Sequence, residues 1–299
     1  MKLGVAVPIV DIGGGPDAIL EFAQAAEAFG YDGIALPDHV LGVNAASRPG
    51  WTQPRGRSTD LYHDPFVLFG FLAGCTRIAD FSTQVLILPQ RQTALVAKQA
   101  ACLDVLSGGR FRLGVGVGWN EVEFVGLNEN FHDRGRRSEE QVALMQALWA
   151  EPHVTFEGRW HRIEDAGINP RPTSGRVPLW YGGHAEVTLR RVVKWGDGWM
   201  PLAYAPGDAA AHTAFDRLRH MAEAAGRDPA TIGIDTRVSA AGAEAQWRAD
   251  VQFWKSCGAT HLTLANYYEG GHLRRITGRS LADHIAAMRR YREVVADLL

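Results

Sequence analysis

Short β-rich runs alternate with longer segments of helical periodicity along this chain, and the alternation restricts the fold more than any other feature. The eight predicted strands are Leu3–Val7, Gly33–Leu36, Ser82–Leu88, Phe111–Val115, Pro178–Tyr181, Gly198–Pro201, Ile232–Val238 and His261–Ala265. Strands that alternate with helices form a parallel sheet, and eight of them close a (β/α)8 barrel. The sequence therefore predicts an α/β fold of the TIM-barrel type.

Helical periodicity fills the segments between the strands. The predicted helices are Asp17–Phe29, Phe66–Cys75, Thr93–Leu106, Arg137–Trp149, Ala185–Trp195, Asp208–Ala225, Glu244–Cys257 and Ser280–Leu299. Pro16 is a favourable opening residue for the first of them, and Gly30 ends it. Because no repeat of fixed period and no low-complexity linker interrupts the series, we expect a single barrel domain over residues 1–299.

Two stretches break the alternation and are therefore candidate functional insertions. Val40 to Tyr62 is polar and rich in glycine, serine and proline, and it is too long for a simple connection, so we expect a lid. Pro152 to Pro178 contains two short alternating runs around Gly158. This pattern predicts a β-hairpin inserted before the fifth barrel strand.

Composition excludes several classes of protein. With 31 Lys plus Arg against 33 Asp plus Glu, the chain has no broad cationic surface for nucleic acid or anionic membranes, and its 46% hydrophobic content excludes disorder. The longest apolar stretch is about half of the roughly 20 residues that a membrane-spanning helix requires. Three widely spaced cysteines indicate neither disulfides nor a zinc site, and the first residues lack a signal-peptide pattern. We expect a cytoplasmic protein with small-molecule partners and no metal.

Two polar residues follow the predicted second strand, at the end where TIM barrels carry reactive groups. Asp38 and His39 bring a carboxylate and an imidazole to this rim. An imidazole serves as acid, base or neutral donor near pH 7, which makes His39 a candidate catalytic residue. A structural role, in which His39 satisfies a buried loop, is equally consistent with the dipeptide alone.

Glycines follow the fourth and fifth strands. Gly116 and Gly118 allow a flat ligand to approach the backbone, although their spacing and position disagree with the dinucleotide-binding Rossmann motif. Gly182 and Gly183, ahead of His184, precede a predicted helix whose free N-terminal amides favour a phosphate. A tight structural turn is the alternative explanation for these two glycines.

Together these motifs resemble those of the luciferase-like flavin and deazaflavin oxidoreductases, particularly the branch that uses coenzyme F420. The resemblance covers nearly the whole chain and rests on Gly33–His39, Ser107–Trp119, Glu123-Phe124, Phe131 with Arg134–Arg137, Pro178–Gly183 and Gly196–Pro201. It implies a (β/α)8 barrel, usually in a homodimer, whose mouth holds an isoalloxazine-like ring. It also implies a non-proline cis peptide behind the ring, within Gln84–Ile87.

The resemblance also implies roles for individual residues. Asp38 and His39, the two catalytic candidates, should lie against the deazaflavin head, and the further cofactor contacts should come from Val85, Leu86, Gly116, Gly118, Gly182, Gly183 and His184. Related sugar-phosphate dehydrogenases carry a proton-donating Glu where this chain has Trp119, so glucose 6-phosphate is a poor candidate substrate. Substrate selection falls to the loops Val40–Tyr62, Glu121–Asp133 and Tyr267–Gly278, with Trp51, Trp119, Asn266 and Tyr267 as candidate contacts, although tryptophans more often pack in a core.

Two departures from the pattern of FMN monooxygenases favour a deazaflavin. Val40 follows His39 where those enzymes often have a second histidine, and Val117 stands where an arginine would bind the FMN phosphate. The leading hypothesis is a coenzyme F420-dependent oxidoreductase that transfers a hydride between C5 of the deazaflavin and a small organic substrate. An FMN-dependent monooxygenase is the main alternative, and a noncatalytic flavin-binding barrel is the third.

Overall fold

The strands of the protein, in a computed structural model that describes residues 1–268 and 273–299, form a closed parallel barrel and one hairpin. They are β1 Lys2–Ala6, β2 Gly33–Leu36, β3 Asp80–Thr83, β4 Leu86–Ile87, β5 Phe111–Gly116, β6 Val154–Glu157, β7 Arg162–Ala166, β8 Leu179–Gly182, β9 Gly198–Met200, β10 Gly233–Val238 and β11 His261–Leu264. Around the barrel, β1, β2, β3, β5, β8, β9, β10 and β11 are successive neighbours, and β11 pairs with β1 to close it. The predicted (β/α)8 barrel is confirmed.

The third barrel strand differs from its prediction. The sequence predicts one strand over Ser82–Leu88, whereas the structure has two short pieces, β3 and β4, which both pair with β5. The interruption lies at Gln84-Val85, whose peptide bond is cis, and a 3-10 helix over Leu88–Gln90 follows. The cis bond falls inside the predicted segment Gln84–Ile87.

Ten α-helices lie in the described parts of the chain. They are α1 Ile9–Ile12, α2 Pro16–Ala28, α3 Pro65–Cys75, α4 Thr93–Ser107, α5 Glu121–Gly126, α6 Arg134–Ala150, α7 Glu186–Trp195, α8 Ala209–Ala224, α9 Glu244–Cys257 and α10 Leu281–Val294. The eight predicted helices are confirmed with shifted ends: α6 begins three residues earlier, and α10 stops at Val294 rather than Leu299. Within residues 1–268 and 273–299, no helix has the length and apolar character needed to cross a membrane.

The inserted hairpin is also confirmed. Strands β6 and β7 pair antiparallel ahead of β8, the fifth strand of the barrel. The carboxylate of Glu140 on α6 accepts hydrogen bonds from the backbone N–H groups of Arg159, Trp160 and His161, at 2.8–2.9 Å. A single carboxylate therefore connects the hairpin turn to the barrel.

The interior of the barrel contains a hydrogen-bonded polar network. The Gln84 side-chain amide donates to Asp235 at 3.0 Å and to the hydroxyl of Thr263 at 2.8 Å. Arg112 forms an ion pair with the same Asp235. Because buried polar groups are costly unless they are paired, this network fixes the side chain of Gln84 and with it the backbone that leads into the cis peptide.

Candidate active site

His39 and Glu123 form a hydrogen-bonded pair at the carboxyl ends of the strands. His39 Nδ1 lies 3.2 Å from a Glu123 oxygen, and the other oxygen accepts from the backbone N–H groups of Val40 (3.0 Å) and Leu41 (3.3 Å). Burial alone would raise the pKa of Glu123, but the His39 hydrogen bond and the two amides outweigh burial and lower the pKa below its usual value of 4.5. Glu123 is therefore a carboxylate at neutral pH, and it leaves Nε2 as the imidazole nitrogen available to a ligand.

Asp38 lies beside His39 in the chain but has different neighbours. Its side chain is 1% exposed and accepts hydrogen bonds from Arg91 Nη2 (2.8 Å), Arg91 Nε (3.3 Å) and the backbone N–H of Ile87 (3.0 Å). Arg91 also pairs with Asp64 at 2.8 Å. These contacts are those of a positioning residue, so we revise the catalytic role that the resemblance implied for Asp38. Leu86 departs from its expected role too, because its side chain is fully buried in the core.

Val85, the second residue of the cis peptide, lies between two of the predicted cofactor-binding glycines. A Cβ atom at Gly116 would come within 2.5 Å of a Val85 methyl group, and one at Gly182 within 2.6 Å of the other. The absence of side chains at Gly116 and Gly182 is therefore required by the packing of Val85 itself. Gly118 has a φ of +74°, a conformation that favours glycine.

Aromatic side chains surround His39 at the mouth of the barrel. The imidazole ring lies 4.7 Å from the ring of Tyr62 and 6.0 Å from that of Trp119, and Trp119 lies 5.6 Å from Trp51. The segment that was expected to be a lid carries Trp51 and Tyr62. Within it, buried Val43 forms backbone hydrogen bonds with Gly56 and Ser58. The structure thus brings Trp51 and Trp119 together beside His39.

The two substrate candidates that follow β11 differ from each other. The side-chain oxygen of Asn266 accepts from the N–H of Ala240 (2.9 Å) and its carbonyl accepts from Ile276, so Asn266 joins two loops. The ring of Tyr267 stacks on that of Tyr268 at 4.6 Å. Residues 269–272 of the expected substrate loop lie outside the described residues. The two tyrosines pack on small residues at the carboxyl ends of three strands, Ala6, Ala35 and Ala265.

The turn after β8 has a fixed conformation. Gly183 has a φ of +125°, its N–H donates to the carbonyl of Met200 at 3.3 Å, and its carbonyl accepts from the indole N–H of Trp199 at 2.7 Å. Helix α7 starts three residues later, and its N-cap residue Ala185 makes no side-chain cap. The first amides of α7 are thus available to an anion. The predicted phosphate contact His184 is exposed at this end.

A small cavity adjoins the start of α7. Its lining includes Gly182, Ser138 and Thr188, together with Arg191, which pairs with Glu139 at 2.9 Å. The Thr188 hydroxyl, the Arg191 guanidinium and the helix-terminal amides are donors that suit a phosphate, whereas the Ser138 hydroxyl donates to the carbonyl of Gly135. These residues therefore fit the phosphate of a flavin-like cofactor.

Sequence reasoning missed several residues of this site. Glu123 was noticed only as part of a family motif, and nothing in its local pattern shows that its carboxylate reaches His39, 84 positions away. Arg91, Thr188 and Arg191 gave no separate signal, because their partners lie on other strands and helices. Only the folded structure shows that an acidic residue, Glu123, is buried next to a loop histidine, His39.

Three kinds of comparison place the chain among known proteins. A model of the luciferase-like monooxygenase family matches residues 1–296. An uncharacterised protein of Mycobacterium tuberculosis is 36% identical over 188 residues, which is 60% of this chain and 64% of that protein. An F420-dependent glucose-6-phosphate dehydrogenase of Segniliparus rotundus is 31% identical over 227 residues, which is 74% of this chain and 62% of the relative. The chain thus spans less than two thirds of the length of these relatives.

Solved structures share the fold over the full chain. An F420-dependent secondary alcohol dehydrogenase, in complex with an F420-acetone adduct, superposes with a TM-score of 0.78 at 19% identity and covers 100% of this chain and 99% of that one. A monooxygenase from Streptomyces bottropensis superposes with a TM-score of 0.73 at 17% identity, over 100% of this chain and 98% of that one. At these identities the likeness concerns the fold alone.

Proposed function

The chain belongs to the luciferase-like monooxygenase family, and we propose that it is a coenzyme F420-dependent oxidoreductase that transfers a hydride between C5 of the deazaflavin and a small organic substrate. The observation that carries this proposal is the arrangement at the mouth of the barrel. Val85 packs against Gly116 and Gly182, which also line the donor-lined cavity at the start of α7, and the His39–Glu123 pair lies at the same carboxyl-end rim of the barrel. This rim can therefore support a ring while the cavity binds its phosphate.

Each part of the chain has a role in this proposal. The deazaflavin supplies or accepts a hydride at C5. The α7 amides and the Thr188 hydroxyl hold the phosphate, Val85 supports the ring, and Nε2 of His39 contacts its head. Trp51, Trp119 and Tyr62 exclude water from the mouth, which strengthens every electrostatic contact inside it.

Two considerations support a deazaflavin over FMN. The relative from Segniliparus rotundus is named for its dependence on F420, as is the secondary alcohol dehydrogenase with the same fold. Val117 lines the cavity beside α7 and brings no charge to it. An FMN-dependent monooxygenase remains the second candidate, favoured by the structural likeness to the Streptomyces bottropensis enzyme.

Titration of the purified apoprotein with coenzyme F420 and, separately, with FMN tests the proposal. Quenching of cofactor fluorescence gives each Kd. We expect micromolar or tighter binding of F420 and at least tenfold weaker binding of FMN, after which short-chain alcohols and ketones are screened without oxygen. The reverse preference, with oxygen uptake in the presence of reduced FMN, would establish the second candidate instead.

Gly183→Val should weaken the binding of F420 about tenfold. A side chain here is strained by the φ of +125°, and its Cβ would lie 3.1 Å from the Thr188 hydroxyl. Fluorescence titration measures the Kd, and circular dichroism checks folding. Gly226→Val, a substitution at another positive-φ glycine with open space around it, is the control for backbone strain and should bind F420 normally. Equal Kd values for both variants would contradict the phosphate assignment.

We also propose that the chain forms a homodimer through the outward faces of α3 and α4. These adjacent helices and the turn after α3 expose large apolar side chains, among them Val67, Phe71, Ile78, Leu95 and Leu106. Neighbouring exposed apolar side chains are typical of protein–protein contact sites.

Leu106→Arg should convert the dimer to a monomer, because it places a charge in the proposed contact. Light scattering after gel filtration measures the mass. Val125→Arg is the matched control, since both side chains are 73% exposed but Val125 lies on α5. A monomeric wild-type protein at micromolar concentration, or a Leu106→Arg variant that stays dimeric, would exclude this interface.

A further inference from the structure

We propose that Tyr268 exchanges a proton with the substrate, and that the substrate is therefore an alcohol or the corresponding carbonyl compound. This inference rests on the proposed function, because a carbonyl group that accepts a hydride at carbon must also gain a proton at oxygen. Trp119, at the position where a carboxylic acid would act in related dehydrogenases, carries no exchangeable acid proton. Tyr268 is a candidate donor because Arg55, which lies over its ring, precedes Gly56, and a Cβ atom at Gly56 would lie 3.2 Å from Trp119 and 3.7 Å from His39.

Two guanidinium groups lie close to the ring of Tyr268. The Cζ atom of Arg55, from the lid segment, lies 4.3 Å from the centre of the Tyr268 ring, and the Cζ atom of Arg237, from β10, lies 4.7 Å from it. Two positive charges close to a phenol stabilise its ionised form, so the pair prepares Tyr268 to release a proton.

Arg237 is a buried cation whose charge is not cancelled locally. It is 5% exposed, and Nη2 donates to the carbonyl oxygen of Gln84 at 2.8 Å. Its closest acidic neighbour on β10, Asp235, is occupied by Arg112 and by the Gln84 amide. No carboxylate within residues 1–268 and 273–299 forms an ion pair with Arg237. A developing negative charge on the phenol oxygen would supply the missing partner.

The pKa of Tyr268 is shifted in the opposite direction from that of the other tyrosines. Burial alone would raise the pKa of Tyr268, but Arg237 and Arg55 outweigh burial and lower the pKa below its usual value of 10.0. Tyr267, which stacks on it, and Tyr62, from the lid segment, both have raised pKa values because of burial. The chain has seven tyrosines, and burial also raises the pKa of the remaining four, Tyr31, Tyr181, Tyr204 and Tyr291.

The proton transfer balances in both directions. During reduction, the O–H bond of Tyr268 breaks, its proton joins the carbonyl oxygen of the substrate, and the electron pair stays on the phenolate, close to Arg55 and Arg237. The substrate carbon takes the hydride from the reduced deazaflavin, and solvent later returns a proton to Tyr268. During oxidation, the phenolate accepts the hydroxyl proton of the alcohol. Reduction should therefore be lost as pH rises through the pKa of Tyr268, and oxidation as pH falls through it.

Titration of the apoprotein tests the ionisation without any cofactor. The near-ultraviolet absorbance of tyrosinate should show one tyrosine ionising below pH 10.0, with the other six ionising above it. Tyr268→Phe should abolish this step, and Tyr267→Phe should retain it. Arg55→Gln should move the step to higher pH, whereas Arg57→Gln, an exposed arginine in the same segment, should leave it in place. A wild-type protein without this step, or a step that survives in Tyr268→Phe, overturns the inference.

Steady-state kinetics test the proton transfer itself. With coenzyme F420 and the alcohol or ketone found in the screen, Tyr268→Phe should lower kcat about a hundredfold and leave the Kd of F420 within twofold of wild type. Arg55→Gln should move the pH limb of kcat in step with the tyrosinate titration. A Tyr268→Phe variant with wild-type kcat overturns the inference and leaves the proposed function intact. Failure of wild-type protein to bind F420 contradicts the proposed function, and the cofactor-free titration still decides whether Tyr268 is activated.

Discussion

Asp38→Asn is expected to lower the free energy of unfolding by about 3 kcal/mol, because it breaks a buried ion pair and leaves the partner groups unsatisfied. The Asp38 carboxylate accepts from Arg91 and from the N–H of Ile87, and its side chain is 1% exposed. Asparagine has nearly the same shape but only one acceptor oxygen, so its amide N–H groups must face a donor. Urea unfolding at neutral pH measures the change as a lower midpoint with an unchanged slope.

Asp64→Asn is the matched control for this prediction. Asp64 binds the same guanidinium at the same distance, 2.8 Å, but its side chain is 33% exposed. Asparagine also retains the N-cap of α3, where Asp64 accepts from the N–H groups of Phe66 and Val67. We expect a loss below about 1 kcal/mol, as is usual for a solvent-screened pair. Equal losses in the two variants would mean that burial of Asp38 contributes nothing, and the positioning role would then be wrong.

Asp38 also supports the candidate active site through its contact with β4. Asp38 connects the end of β2 to β4, and β4 directly follows Val85, the residue that lies between the glycines of the fourth and fifth barrel strands. A folded Asp38→Asn protein should therefore bind cofactor more weakly even though Asp38 does not face the mouth. Asp38 thus positions residues inside the barrel wall, whereas the adjacent His39 lies at the rim of the mouth.

The barrel could be predicted from sequence because its signals are local. Each parallel strand is buried on both faces and reads as a short β-rich run, and each helix carries its own periodicity and its own start and stop residues, such as Pro16 and Gly30. The division of the third strand at Gln84 could not be derived from its β propensity, which is continuous through the interruption. Its expected position came only from the resemblance to a family.

The candidate site could be predicted only as a set of positions. His39, Trp119 and Gly183 were found because strand ends and glycine turns are visible in the sequence. Their partners were not, since Glu123 and Thr188 reach the site through pairings that the sequence does not show. Tyr268 lies in the predicted substrate loop Tyr267–Gly278 but gave no signal of its own, because what distinguishes it is a pair of arginines that lie 213 and 31 positions earlier in the chain.

His39→Ala is expected to slow hydride transfer about a hundredfold while changing the Kd of F420 by less than threefold. The imidazole lies at the mouth with Nδ1 fixed by Glu123, so Nε2 can donate to or accept from the ring as its charge changes. Single-turnover reoxidation of reduced F420 by a ketone, without oxygen, measures the rate. His132→Ala, at an exposed histidine, is the control and should react at the wild-type rate.

Glu123→Gln tests the contribution of the carboxylate that orients the imidazole, while the imidazole itself is retained. Glutamine retains the size of the side chain and an oxygen for the Val40 N–H, but it cannot hold a charged partner for Nδ1. We therefore expect a smaller decrease than for His39→Ala, about tenfold, together with a changed pH dependence on the acid side, because the lowered pKa of Glu123 keeps the wild-type carboxylate ionised there. If His39→Ala and Glu123→Gln act through one hydrogen bond, the double variant should be no slower than His39→Ala alone, whereas multiplied effects would show that Glu123 acts independently of the imidazole.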